Sequence, residues 1–211
     1  MKLLIFDLDG TLVRLPIDYN SLRQSLKEYF KKYGLNLEFR PLLKKIDYAI
    51  SFVKKNFPED QEKVKKDVKE ILDKFELEGV KKAEIIENVR ETLNSLKEMN
   101  FKLAILTSNG KKCAEKSLEK FKIKNYFNLI LSREDCKPKP EPSGILKIMN
   151  KLNFKKENTI MVGDGLNDIL AAKNAGVKFI GVLTGVGDLK TFKDNKVNYI
   201  KNLGDLIKAL K

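Results

Sequence analysis

Leu3-Leu4-Ile5-Phe6-Asp7-Leu8-Asp9-Gly10-Thr11-Leu12 is the stretch on which the reading of this chain turns. An apolar run of strand length ends in two carboxylates one residue apart, followed by a glycine. Two like charges held at the end of a buried strand raise each other's pKa and add nothing to stability. A bound cation or a reacting phosphorus would account for them. By itself the segment also fits a strand followed by an Asp-Gly turn. A calcium loop fits less well. It needs further acids at alternate positions and a closing Glu, whereas Thr11-Leu12-Val13 follows here.

Similar runs recur downstream. Phe101 to Leu106 ends at Thr107-Ser108-Asn109-Gly110, Phe127 to Leu131 leads towards Lys137, and Thr159 to Val162 ends at Gly163-Asp164-Gly165. Helical patterns lie between them, over Glu84 to Met99, Lys111 to Phe121, Ser143 to Leu152 and Leu166 to Ala175. Further strands are expected over Lys178 to Leu183 and Val197 to Ile200, with a last helix near Leu203 to Leu210. Strands alternating with helices predict an α/β fold with a mostly parallel sheet covered on both faces. Thr107 to Lys137 spans 30 residues and Lys137 to Asp164 spans 27, each the length of one strand–helix–strand unit. Asp7 to Thr107 spans 100, far too many for one unit. The excess reads as three amphipathic helices, Tyr19 to Tyr33, Phe39 to Asn56 and Glu59 to Glu78, punctuated by Asn36 and Phe57-Pro58. The expected organisation is a core of residues 1–15 and 83–211, with an all-helical insertion at 16–82 after the first strand. In an open parallel sheet, ligands bind beyond the carboxyl ends of the strands. One polar cluster falls at each such end, as a single convergent site requires.

Composition narrows the chemistry. The chain has 211 residues and no histidine, which removes His nucleophiles, Ser-His-Asp triads and nearly every catalytic zinc site. Hydrolysis here must use carboxylates, lysines and a hard, oxygen-loving metal. The net charge is +13, concentrated outside residues 17–88, where 16 basic groups face 14 acidic ones. A basic surface attracts phosphorylated ligands. With five arginines, scattered lysines and no nucleic-acid motif, no specific nucleic-acid partner is expected. Apolar runs are too short for a membrane span, and the N-terminus lacks a secretory pattern. Cys113 and Cys136 are expected to be reduced thiols in a cytoplasmic protein.

The segments Asp7-Leu8-Asp9-Gly10-Thr11-Leu12, Thr107, Lys137-Pro138-Lys139-Pro140-Glu141-Pro142 and Gly163-Asp164-Gly165-Leu166-Asn167-Asp168 together resemble the haloacid dehalogenase superfamily, in its phosphatase branch, and most closely the phosphoglycolate phosphatase-like subgroup. The resemblance covers the whole chain and all four motifs in order. It implies a Rossmann-like core with a helical cap, and a Mg²⁺-dependent phosphatase hydrolysing small phosphomonoesters, phosphoglycolate or a sugar phosphate among them, through an aspartyl-phosphate. Asp7 is then the nucleophile and Asp9 the general acid and base, a second acid that the dehalogenase branch lacks. Thr107, Ser108 and Asn109 would hold the phosphoryl oxygens. Lys137 would neutralise charge in transfer, with Lys139 as its competitor. Mg²⁺ would be held by Asp7, the Asp9 carbonyl and Asp164, with Asp168 in a supporting role through water or by holding Lys137. Two other readings share the motifs: a phosphomutase similar to β-phosphoglucomutase, and a non-catalytic protein that binds a phosphorylated metabolite.

Overall fold

The computed structural model describes residues 1–210. By contact they divide into two compact units, one of residues 1–15 and 82–210 and one of residues 16–81. The first is built on strands β1 (Leu3–Phe6), β4 (Lys102–Leu106), β5 (Leu129–Leu131), β6 (Thr159–Gly163), β7 (Lys178–Val182) and β8 (Asn198–Ile200), with β2 (Val13–Arg14) and β3 (Glu84–Ile85) forming a separate ribbon. The six strands lie in the order β5-β4-β1-β6-β7-β8, and every neighbouring pair is parallel.

The central position of β1 follows from its side chains. Leu3, Leu4, Ile5 and Phe6 have no exposed surface, so both sheet faces are covered there. Phe6 lies opposite Ile105 on one side and Val162 on the other. The register therefore brings the residues after β1, β4 and β6 to one edge of the sheet. Helices α4 (Val89–Glu98), α5 (Lys111–Lys120), α6 (Ser143–Leu152), α7 (Leu166–Ala175), α8 (Leu189–Asp194) and α9 (Leu206–Ala209) complete this unit. Ile145 and Ile148 of α6 and Ile169, Ala171 and Ala172 of α7 pack with Leu3, Ile5 and Met161 into one core.

The second unit holds α1 (Tyr19–Lys31), α2 (Leu42–Asn56) and most of α3 (Gln61–Lys82). Asp18 caps α1, its carboxylate accepting from the backbone N–H groups of Asn20 and Ser21 at 3.1 and 3.0 Å. Leu22, Leu26 and Phe30 of α1 meet Ile46, Ala49 and Val53 of α2 and Val64, Val68 and Leu72 of α3 in a core of their own. Phe30 stacks on Phe39 at 5.6 Å.

The structure departs from sequence expectation at several points: α3 runs Gln61–Lys82 rather than Glu59 to Glu78, the last helix is confined to Leu206–Ala209, and three further differences concern α2, Glu84 with Ile85, and α8. α2 begins at Leu42 rather than Phe39, because a proline disfavours helical backbone in the residue before it and Pro41 stands at the N-cap. Glu84 and Ile85 are strand, not helix. They pair antiparallel with Arg14 and Val13, and the helix starts after Asn88, which has φ +62°. α8 had no sequence expectation. Among the described residues no helix is long and apolar enough to cross a membrane.

Candidate active site

The first carboxylate stands directly after the central strand. The Asp7 N–H still donates to the Val162 carbonyl at 2.9 Å, so its backbone is pinned in the sheet. The chain then turns sharply. Gly10 has φ +81°, and a Cβ there would lie 2.5 Å from Asp164 Oδ2, so both conformation and space demand glycine. The turn closes with the N–H groups of Leu12 and Val13 donating to the Leu8 carbonyl at 2.9 and 3.1 Å. Asp9 is fixed by the Leu15 N–H, which donates to its Oδ1 at 2.9 Å.

The second contribution comes from β6 and the start of α7. Asp164 is buried. Its Oδ1 accepts from the Thr11 hydroxyl at 3.3 Å and its Oδ2 from the Val186 N–H at 2.7 Å. Asp168, one helical turn on, returns to the same place, its Oδ2 accepting from the Gly165 N–H at 3.0 Å. Asp7, Asp164 and Asp168 each offer a carboxylate oxygen, and these oxygens all lie within 4.8 Å of one another.

A lysine sits inside this acidic cluster. Lys139 Nζ is 2.7 Å from Asp7 Oδ1 and 2.5 Å from Asp168 Oδ1, with only 4% of its side chain exposed. The lysine expected here was Lys137. The structure corrects that expectation: Lys137 is exposed, and Lys139 occupies the place. A buried ammonium needs anionic partners, and Asp7 and Asp168 supply them. The loop that carries Lys139 is tied down along its length. Asp135 Oδ2 accepts from the N–H and hydroxyl of Ser132 at 2.9 and 2.7 Å, and the Pro140 carbonyl accepts from Asn174 Nδ2 at 3.1 Å. Asp168 was expected to act through water or by holding Lys137; its carboxylate is paired with Lys139 instead.

At the end of β4, Thr107 and Asn109 are buried and Ser108 is half-buried. The Thr107 hydroxyl donates to Asn109 Oδ1 at 3.0 Å and accepts from the Asn109 N–H at 3.1 Å. Arg133 donates to the Ser108 carbonyl at 3.2 Å. By sheet register, Thr107 falls one position beyond the residue opposite Asp7.

Sequence reading missed one contributor, the loop after β7. The Thr184 hydroxyl donates to the Gly10 carbonyl at 2.6 Å, and the Val186 and Gly187 N–H groups both donate to Asp164, the latter to its carbonyl at 2.8 Å. A Cβ on Gly185 would fall 1.9 Å from Asp164 Oδ2. The signal was present in Thr184-Gly185-Val186-Gly187, a glycine-rich polar stretch at the end of a strand of the same sheet.

The electrostatics are those of crowded acids around one cation. Burial pushes the Asp7 carboxyl well up from the ordinary carboxylate value. Lys139 opposes this, while Asp168 and Asp164 add to it. Burial also raises Asp164, with Asp168 adding and the Val186 N–H opposing. Asp9 is pushed up to about 6, chiefly by burial against the lowering hydrogen bond from Leu15. Burial works against charge on Lys139, but Asp168 and Asp7 outweigh it and hold the ammonium above its usual value. Added positive charge would relieve the acids. The donor set fits a hard divalent cation: it is all oxygen, carboxylate-rich and clustered in one place.

Carboxylates and a lysine gathered at the carboxyl edge of a parallel α/β sheet stand where such sheets bind their ligands. Comparison with known proteins supplies the class. Residues 4–182 match the family model described as haloacid dehalogenase-like hydrolase. The chain is 37% identical to a pyrophosphatase PpaX from Halalkalibacterium halodurans, over 82% of this chain and 80% of that one. It is 31% identical to a phosphoglycolate phosphatase from Vibrio vulnificus, over 88% and 85%. Among solved structures, a predicted phosphoglycolate phosphatase from Haemophilus somnus superposes with a TM-score of 0.72 at 26% identity, covering 100% of this chain and 98% of that one. The chain belongs to the haloacid dehalogenase-like hydrolases.

Proposed function

We propose that this protein is a Mg²⁺-dependent phosphatase that transfers the phosphoryl group of a small phosphorylated metabolite to Asp7 and then to water. The observation that carries this reading is Lys139 held between Asp7 and Asp168, with Asp164 alongside. An idle set of buried acids would bring only its electrostatic cost.

Asp7 attacks phosphorus with the carboxylate oxygen not bound to Lys139, forming an aspartyl-phosphate and splitting one difficult displacement into two easier ones. Lys139 orients Asp7 and offsets charge on the phosphoryl oxygens. Asp9, with its pKa raised to about 6, keeps a proton more readily than an ordinary carboxyl. It gives that proton to the leaving oxygen, then takes one from the water that cleaves the acyl phosphate. Thr107, with Ser108 and Asn109, supplies hydroxyl and N–H donors to the phosphoryl oxygens. Asp7, the Asp9 carbonyl and Asp164 would hold Mg²⁺, which supplies charge neutralisation for a dianionic phosphate among carboxylates. Residues 16–82 act as the cap of a core formed by residues 1–15 and 83–211. Phosphoglycolate and pyrophosphate lead the substrate candidates, because relatives 31% and 37% identical carry those activities in their names.

A phosphate-release screen tests the assignment. Phosphoglycolate, pyrophosphate, sugar phosphates, phosphoserine and nucleotides are offered with Mg²⁺ and again with excess chelator. Metal-dependent release from at least one small substrate is the expected result. Isomer formation from a sugar phosphate without release would instead make the protein a mutase, and binding with no turnover across the screen would sink the catalytic reading.

The loop after β7 yields a further expectation. Gly185→Ala must displace the Asp164 carboxylate, since no Cβ fits 1.9 Å from its Oδ2. Disturbing the group that orients a metal ligand typically weakens metal binding by about 10- to 100-fold. Calorimetric titration with Mg²⁺, beside the Mg²⁺ dependence of turnover, should show that loss while the melting temperature moves by only a few degrees. Unchanged metal affinity would remove Asp164 from the metal's ligands.

A further inference from the structure

The helical unit carries a surface cavity of about 140 Å³, half-open to solvent and lined by Asn20, Arg23, Gln24, Lys27, Glu38 and Arg40, of which Arg23 and Lys27 are half-buried. Four of these share one face of α1 at the spacing i, i+3, i+4, i+7, beside the face that buries Leu22 and Leu26. The other two flank Phe39, which is fully buried and has φ +50°. A bulky residue in the left-handed region is held there only when its surroundings fix it. Here its ring is stacked on Phe30, so the backbone that presents Glu38 and Arg40 is anchored in the core.

The charges in the cavity do not balance. Three cations face one carboxylate. Glu38 is engaged by Lys27 at 2.6 Å. Among the described residues, Arg40 forms no ion pair. Arg23 meets only the Asn20 side-chain oxygen, at 3.4 Å, and the Tyr19 ring, 5.5 Å below its guanidinium. Arg23 Nε is the buried side-chain atom that lacks a hydrogen-bond partner among the described residues. Arg23 as a whole is half-buried, but its Nε–H is shielded from solvent and has no acceptor among the described residues, so one donor is left there for a partner from outside.

We propose that this cavity is an oxyanion site, taking a phosphate or carboxylate group between Arg23 and Arg40. Guanidinium forks match the two-oxygen geometry of both groups, and a net charge of two positives remains to be met there. Lys27 is steadied by Glu38 and closes one side. The site lies within residues 16–81 and stands whether or not the assignment of Asp7 as nucleophile holds.

The chain has five arginines, so their Nε–H signals in a proton–nitrogen NMR spectrum are few enough to assign by substitution, Arg23 by its loss in Arg23→Lys. Metal-free protein is titrated with inorganic phosphate against chloride at matched ionic strength. The expected result is a saturable movement of the Arg23 Nε–H signal, with apparent affinity about tenfold weaker or lost in Arg40→Gln. Arg133, bonded to the Ser108 carbonyl, reports the catalytic end of the sheet in the same spectrum, so occupancy of the two places is read separately. An Arg23 signal that moves no more than in chloride, or moves identically in a folded Arg40→Gln protein, would overturn the assignment. Titrating the same signal with glycolate beside inorganic phosphate separates the two groups. A tighter response to glycolate points to a carboxylate ligand, and a tighter response to phosphate points to a phosphate ligand.

Discussion

Asp7→Asn is expected to give a folded protein that releases no phosphate from any substrate the parent cleaves. An amide is isosteric with the carboxylate but cannot act as the attacking oxyanion, and removing a covalent nucleophile costs orders of magnitude in turnover. A fall of about 10⁴-fold or more is expected. The fold should tolerate the change. Asp7 already carries a raised pKa from its burial, so exchanging its carboxyl for a neutral amide removes a disfavoured charge. Lys139 keeps Asp168 at 2.5 Å and is not left unpaired. The melting temperature should therefore stay within a few degrees of the parent's, and mass spectrometry of protein quenched during turnover should find a phosphorylated Asp7 only in the parent. Undiminished turnover in the Asn variant would dismiss Asp7 as nucleophile, whatever the geometry around it.

The core was legible in the sequence because its physics is local. β1 and β6 are buried on both faces and so read as unbroken apolar runs, and α6 and α7 follow with the bounds expected of them, Ser143–Leu152 and Leu166–Ala175. The strand ends could be ranked as ligand-facing because a parallel sheet aims its carboxyl ends to one side. What escaped was set by tertiary path. The β2–β3 ribbon pairs Val13 with Ile85 across more than 70 residues, and two-residue strands have no periodicity to detect. The loop from Thr184 to Gly187 orients Asp164 through backbone N–H groups, and a backbone donor leaves no mark in side-chain identity. Lys137 and Lys139 are the sharpest case. Two residues apart in an extended segment point to the same side, so alternation cannot choose between them. The course of the loop chooses, through contacts such as that of the Pro140 carbonyl with Asn174.

That choice has a large consequence. Lys139→Met should cost both activity and stability, and Lys137→Met should cost neither. Lys139 neutralises two acids at once, with its side chain only 4% exposed. Removing one partner of a buried ion pair typically destabilises by about 3–5 kcal/mol, because the charge left behind has neither water nor a counter-ion. At about 2–4 °C per kcal/mol for a protein of this size, the melting temperature should fall by roughly 6–20 °C. Turnover should drop by about 10²-fold or more, as when one preorganised electrostatic donor is lost. The sign of the pH response distinguishes this mechanism from simple loss of packing. Without Lys139, which holds it down, the folded-state pKa of Asp7 rises further above its unfolded value. The folded state then binds protons more readily than the unfolded one, and the stability of the variant recovers as pH falls towards the ordinary carboxylate range. A cavity left by lost methylenes would show no such recovery. Mg²⁺ in excess should restore part of the stability for the same reason, by supplying positive charge to the same acids. Lys137 is exposed, and its removal should change turnover by less than about twofold, in keeping with surface substitutions generally. If Lys137→Met lost activity while Lys139→Met kept it, the ion pairs with Asp7 and Asp168 would be structural, and charge neutralisation in phosphoryl transfer would have to come from the exposed lysine.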